Sequence, residues 1–194
     1  MTMWDRVLLI GAVFLTTFST VVWSADNLAR QARISVDSTY DSYLTTPLND
    51  GVQIVASSDF RKAGWASAES DSPHWARMDW NQPVTIASVV VYWTLDGGQF
   101  QSAATVQVQA LIDKVWKTVA ESAPKRSSCF SVMKFAPVAT AGIRVLQPSR
   151  RGPVDRSDLM WVAEVEAYGA RKDTGTRGNP SASAKLALGG HIVR

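Results

Sequence analysis

Residues 64–93 read GWASAESDSPHWARMDWNQPVTIASVVVYW, and this stretch decides the fold. From Trp75 to Trp80 it alternates, with Ala76, Met78 and Trp80 on one side and Trp75, Arg77 and Asp79 on the other. A period of two is that of a strand with one buried face. Residues 84–94 are dense in β-branched and aromatic side chains, which pack well on a pleated surface. Asn81-Gln82-Pro83 between them reads as a short turn. Working outward, further strands are expected at 30–37, 104–112, 115–121, 128–135, 142–147 and 161–168. No segment carries a convincing amphipathic-helix pattern. Successive strands with turn residues between them point to an all-β antiparallel sandwich or barrel.

Connection lengths say where a site belongs. Asn81-Gln82-Pro83, Asp113-Lys114 and 136–141 are short, whereas 95–103, 122–127 and 148–160 are longer. In an up-down antiparallel arrangement alternate connections leave at the same end. The long loops should gather at one pole, joined by 56–74, with the tight turns at the other. Binding residues on rigid β scaffolds concentrate on such loops.

The 194 residues are 46% hydrophobic and 19% charged, enough for one ordinary core but not for two large domains or a wholly disordered chain. A mean hydropathy of −0.04 excludes a polytopic membrane protein. One cysteine, Cys129, excludes an intrachain disulfide framework or a cysteine-cluster metal site, and two histidines leave little for histidine-based chemistry. The net charge of +3 sits in the tail, where residues 171–194 hold five basic residues against one acid, so no basic nucleic-acid face is expected. Residues 7–22, VLLIGAVFLTTFSTVV, followed by Ser24 and Ala25, have the apolar core and small-residue end of a secretory leader. The expected organisation is a signal peptide over 1–25, one domain over 26–169 and a disordered Gly/Ser/Pro/Ala-rich tail over 170–194, in an exported protein. An uncleaved anchor is the alternative, against which the run is short and Thr/Ser-interrupted.

The motifs then fall into a family order. The 64–93 stretch, with its Trp-x-Ser step at Trp65-Ala66-Ser67 and "QPVTIASVVVYW" end, resembles the centre of the coagulation factor 5/8 type C, or discoidin, domain. VQVQALIDKVWKTVAE at 106–121, GIRVLQPS at 142–149 and MWVAEVEAYG at 160–169 resemble its later pieces in sequence. NLARQARISVDSTY at 27–40 with LNDG at 48–51 resembles its opening. The resemblance covers about 27–169 and implies a galactose-binding-like jelly-roll β-sandwich. Such modules are mostly non-catalytic and hold glycans, phospholipid headgroups or proteins through loops at one end.

Sugars are held by ring stacking on their C–H faces and by planar side chains that grip their hydroxyls. At the long-loop pole the candidates are Asp59, Arg61, Asp96, Gln99, Phe100, Arg150, Arg151, Asp155 and Arg156. Phe100, after Gly97-Gly98, is the expected stacking ring, and Arg150 and Arg156 are the expected anchors. The resemblance adds Tyr40 and Tyr43, from a first loop the family uses as a binding spike. Trp65, Trp75, Trp80, Trp93, Trp116 and Trp161 lie in or beside strands and are expected to pack rather than to form a platform. The resemblance also implies a structural Ca²⁺ near the "DG" loop, with Asp50 and either Glu164 or Glu166 as oxygen ligands. His74 has no neighbouring carboxylate–nucleophile pattern, and no G-x-S-x-G or phosphate loop occurs. The expected function is therefore an exported, non-catalytic carbohydrate-binding module. The alternative is an adhesion or scaffold domain contacting protein or a phospholipid surface. A small hydrolase would need Glu164 and Glu166 to share a cleft.

Overall fold

The computed structural model describes residues 26–53 and 64–170. The expected leader, nearly all of the expected tail, Asp59 and Arg61 lie outside the described residues. A 3-10 helix at Leu28–Gln31 opens the domain, with the Asn27 side chain accepting from both Ala29 N and Ala167 N and so tying the entry to the last strand. Next come β1 (Arg33–Val36), a 3-10 turn at Thr46–Asn49, β2 (Trp65–Ala66), β3 (His74–Trp93), β4 (Leu95–Asp96) and β5 (Gln99–Phe100). Then follow β6 (Val106–Ile112), β7 (Val115–Ser122), β8 (Phe130–Gln147) and β9 (Trp161–Tyr168).

All strand pairings are antiparallel, in the order β2-β9-β3-β8-β6-β7, with β1 on β3 and β4-β5 as a separate hairpin. The expected turns at 81–83 and 136–141 are not chain reversals. They are corners inside the two long strands β3 and β8. Residues 74–79 of β3 pair with β1 and with 142–147 of β8, while its 84–93 half pairs with β9 and the first half of β8. The register slips between Asp79 and Val84, where the exposed Pro83 sits. Proline donates no ladder hydrogen bond and is tolerated in a strand at such irregularities. Each long strand thus belongs to both layers of the sandwich. Asp113 and Lys114 form the true two-residue reversal, both at positive φ (53° and 64°), the pattern of a type I′ hairpin whose twist matches its strands.

The alternation read in the sequence is the core. Ala76, Met78 and Trp80 face inward against Ile86, Val89, Val91, Trp93, Val106, Val108, Ile143, Val145, Val162 and Val165. Four tryptophans, Trp65, Trp80, Trp93 and Trp161, are buried. Three indole N–H groups find oxygen acceptors: Trp65 the Ser38 carbonyl, Trp80 the Leu28 carbonyl and Trp93 the Ser131 hydroxyl. Buried indoles with satisfied N–H groups are packing residues. Trp75 and Trp116 are half-buried. No helix among the described residues is long and apolar enough to cross a membrane.

Candidate functional site at the loop pole

The long loops meet at one end of the sandwich. Ser67 N donates to Met160 O, Ser70 N to Asp158 O, Ala104 N to Arg151 O and Phe100 N to the Ser127 hydroxyl. His74, only 1% exposed, fastens three of these segments. Its Nδ1 lies 2.8 Å from Asp37 Oδ2, and its Nε2 lies 3.1 Å from the carbonyls of Ser70 and Asp158. The sequence did not point to this carboxylate, because Asp37 comes from a distant loop. Sealed in this way, His74 braces the pole and touches nothing outside it.

On this frame stands a cluster built around Arg156. The Tyr43 ring packs edge-on against Trp161 at 5.9 Å, and Tyr40 meets Tyr43 at 6.2 Å. Tyr43, Ala66, Leu159 and Trp161 form a small apolar cluster of their own. The Arg156 guanidinium lies 5.6 Å from the Tyr40 ring centre and 5.9 Å from that of Trp161, within cation–π range. Its Nε and Nη2 donate to the two oxygens of Glu69 at 3.1 and 2.7 Å. This fork holds the Glu69 carboxyl below its ordinary value, and the same hydrogen bonds raise the Arg156 pKa. Beside it, Asp71 accepts from the Ser149 hydroxyl and from Arg150, which lowers the Asp71 pKa.

The pair with Glu69 uses two of the five Arg156 N–H donors and the Tyr40 side chain is a further partner, which keeps the remaining donors next to carboxylate lone pairs. A sugar hydroxyl both donates and accepts, so an adjoining donor and acceptor in fixed orientation beside an exposed ring suit it. The loop that carries Arg156 depends on Gly152. A Cβ there would stand 2.7 Å from Ser157 O and 2.8 Å from Arg156 O, and would also strike Leu159 O. Gly152→Ala is therefore expected to displace 152–159 and weaken binding of any ligand gripped by Arg156 at least about tenfold, with a much smaller loss of stability, because loops open at a lower free energy than core strands. Paired titration and thermal unfolding would show it; full binding by the variant would mean that the loop is not part of the site.

The structure divides the expected residues. Tyr40, Tyr43 and Arg156 come together, with Tyr43 buried as support rather than exposed as a contact. Arg150 joins through Asp71, so both expected anchors are already ion-paired. Asp155 turns to Arg126 at 2.9 Å, an exposed pair of little energetic weight. Asp96 and Gln99 sit exposed on the β4-β5 hairpin. Phe100, the expected stacking ring, is instead half-buried and packs against the main core, since its backbone is held down by Ser127. The exposed ring beside Arg156 is Tyr40. Glu69 and Asp71 were not expected; two acids spaced by one residue in one loop, facing two arginines in another, were the available signal.

Asp50 and Glu164 also adjoin. Gly51 N donates to Glu164 Oε1 at 3.2 Å, and Asp50 Oδ1 accepts from Val52 N. Glu164 is fully buried and its Oε2 has no hydrogen-bond partner. Burial, with smaller contributions from nearby Asp50 and Glu166, pushes its pKa up to about 8. Glu166 is committed elsewhere, accepting from the Tyr92 and Tyr168 hydroxyls and from Gln53. No group of three or more His, Cys, Asp or Glu among the described residues could hold a metal, so any ion here would need backbone carbonyls as well.

Among curated proteins none matches the chain. Solved structures share its fold. The family 32 carbohydrate-binding module of NanJ from C. perfringens, in complex with galactose, is 15% identical with a TM-score of 0.58, covering 72% of this chain and 95% of its own. The lectin domain of lectinolysin, complexed with Lewis B antigen, is 16% identical with a TM-score of 0.60, covering 76% and 99%. SpGH29 is 20% identical with a TM-score of 0.57 over 75% of this chain, which spans 28% of that longer protein. The fold is thus the galactose-binding-like sandwich that the motif order implied. The family profile for the NedA-like, galactose-binding domain of the F5/8 type C group matches residues 48–145, and the chain belongs to that family.

Proposed function

We propose that this protein is an exported, non-catalytic carbohydrate-binding module that holds a glycan at the loop pole. The observation that carries this reading is the Arg156 fork, locked by Glu69 over the Tyr40 and Trp161 rings where the long loops converge. Exposed Tyr40 offers a stacking face, and Arg156 with Glu69 offers donors and acceptors to one hydroxyl pair. The solved relatives whose names include galactose or Lewis B support a neutral or fucosylated glycan as the first class to test. A glycan array with the full chain, followed by calorimetric titration of the hits, is the test. Reproducible binding supports the reading; a blank array with binding to another class of surface overturns it.

One observation favours a second reading. Val154 is exposed at 63% on the loop that carries Arg150 and Arg156, and Leu44 at 48% on the loop that carries Tyr40 and Tyr43. Apolar tips beside cations are the chemistry of a phospholipid surface. Liposomes with and without anionic lipid distinguish the two: sedimentation with them, and no glycan signal, favours this alternative.

We also propose a structural Ca²⁺ held by Asp50 and Glu164, for which the unpartnered Glu164 oxygen is the supporting feature. A hard cation accepts buried carboxylate oxygens and would stiffen the 50–53 segment. In metal-free protein the Glu164 carboxyl titrates at 4.5 when unfolded and about 8 when folded. The raised folded value means its contribution to stability is complete below 4.5 and is lost as pH rises through 8. With chelator present, stability should therefore fall across that window, and Glu164→Gln should flatten the fall. Added calcium should raise the thermal midpoint of the unmutated chain most at pH 8 and leave Glu164→Gln unmoved. An identical calcium response in both would remove Glu164 from the site.

A further inference from the structure

We propose that the outer face of the β1-β3-β8-β6-β7 layer is a second ligand site, which takes the oxyanion of an acidic sugar residue between Arg77 and Arg144 with Trp116 as its apolar floor. The site does not rest on the loop-pole reading. The alternation that sends Ala76, Met78 and Trp80 into the core turns Arg77 and Asp79 outward. The register sets Arg77 beside Arg144, and Arg144 beside Gln109. The two guanidinium carbons lie 5.1 and 4.9 Å from the centre of the Trp116 ring, so they are at most about 10 Å apart.

The charges on this face do not balance. The Asp79 carboxylate uses one oxygen, Oδ1, to accept from both Nε and Nη2 of Arg77, at 3.0 and 2.7 Å. Arg33 stands opposite Asp79 on β1, so three arginines face two acids, Asp79 and the more distant Glu121. Among the described residues Arg144 has only a neutral hydrogen-bond partner: its Nε donates to Gln109 Oε1 at 2.7 Å. Glu121 on β7 accepts from the Gln107 amide, and the exposed Lys117 is paired with Asp113 at the hairpin end of the strand. Burial lowers the Arg144 pKa, and neighbouring Arg77 lowers it further. Like charges on adjacent strands repel. An oxyanion between them converts that repulsion into charge-assisted hydrogen bonds from planar donors shaped for it.

Two more features suit a sugar rather than a bare ion. A Cβ on Gly142 would stand 2.9 Å from Asp79 Oδ1 and 3.5 Å from the Trp116 ring. The missing side chain leaves room for the Asp79 carboxylate that grips Arg77, and the indole from β7 reaches across to the β8 backbone beside it, where it supplies an apolar surface for a pyranose C–H face. Alongside runs a row of fixed amides: Gln109 Nε2 donates to Gln107 Oε1 at 3.2 Å and to Thr118 Oγ1 at 3.1 Å. These groups can exchange partners with ring hydroxyls. An open sheet face also accepts an internal residue of a polysaccharide.

The test titrates the full chain with an oligogalacturonate, a sulfated galactan oligomer and a neutral galactan oligomer, following heat and the indole N–H resonances. At least one acidic oligomer should bind, more weakly as salt rises, and should move the Trp116 indole signal but not that of Trp161. Which acidic oligomer binds decides between a carboxylate and a sulfate as the recognised group. Arg144→Met, which keeps the hydrocarbon stem over Trp116, should lose at least about tenfold in affinity, and Arg144→Lys should fall between. The indole measurement needs no variant and stands even if Arg144→Met fails to fold. Failure of both acidic oligomers at millimolar concentration, equal binding of the neutral one, unchanged affinity in Arg144→Met, or a silent Trp116 would each overturn the proposal.

Discussion

Replacing Trp93 by alanine is expected to cost about 3–5 kcal/mol of folding stability, the range for removing a large aromatic from a core. The side chain is 1% exposed, and its Nε1 donates to Ser131 Oγ at 3.0 Å. Truncation empties a cavity between the layers and leaves a buried hydroxyl without its donor. For a domain of this size the thermal midpoint should fall by roughly 10 °C or more. Trp116→Ala is the contrast, because that ring is half-buried on the outer face and should cost at most about 2 kcal/mol. Chemical denaturation of the two variants checks the ranking. Equal losses would mean that the inward and outward sides of the sandwich have been assigned wrongly.

Arg156→Met should weaken glycan binding at the loop pole by at least about 30-fold, near 2 kcal/mol, the scale of a lost hydrogen bond to a charged group. The variant keeps an apolar stem on Tyr40 and Trp161 but removes every donor and leaves Glu69 unpaired. Glu69→Gln should lose less, because the amide still accepts one N–H but no longer holds the fork bidentately. Stability should barely change in either, since the pair is partly exposed, with side-chain exposures of 36% and 40%. Phe100→Ala should leave affinity near the unmutated value while lowering stability, because that ring belongs to the core. Calorimetry on the three variants separates these effects. If Phe100→Ala lost binding while Arg156→Met kept it, the site would lie on the β4-β5 hairpin instead.

Where the side-chain pattern is local, the sequence was a good guide. Residues 161–168 were expected as a strand and form β9 with those bounds, and the 75–80 alternation is the observed core face. The short connections read at Asn81-Gln82-Pro83 and at 136–141, which holds Pro137, differ from the structure in one respect. Proline reads as a break, yet here each long strand passes through its corner without ending, and only pairing with different partners on the two sides reveals that. The site was half legible. Arg156 announces itself by type and loop position and Tyr40 enters through the family resemblance, but their partner Glu69 lies 87 residues away from Arg156 and is joined to it only by folding. The brace at His74 is hidden for the same reason, its carboxylate being 37 residues upstream. Glycines before an aromatic say nothing about which side of the rim the ring takes, and Phe100 takes the side that packs on the core.

The most direct test of the loop-pole site is amide chemical-shift mapping of the full chain during titration with a glycan found on the array. The account predicts perturbations confined to 37–44, 67–72 and 148–161, with the Arg156 side-chain resonances among the largest. Shifts centred instead on the exposed Phe130 and Val132 side of β8, or spread evenly over both layers, would contradict it.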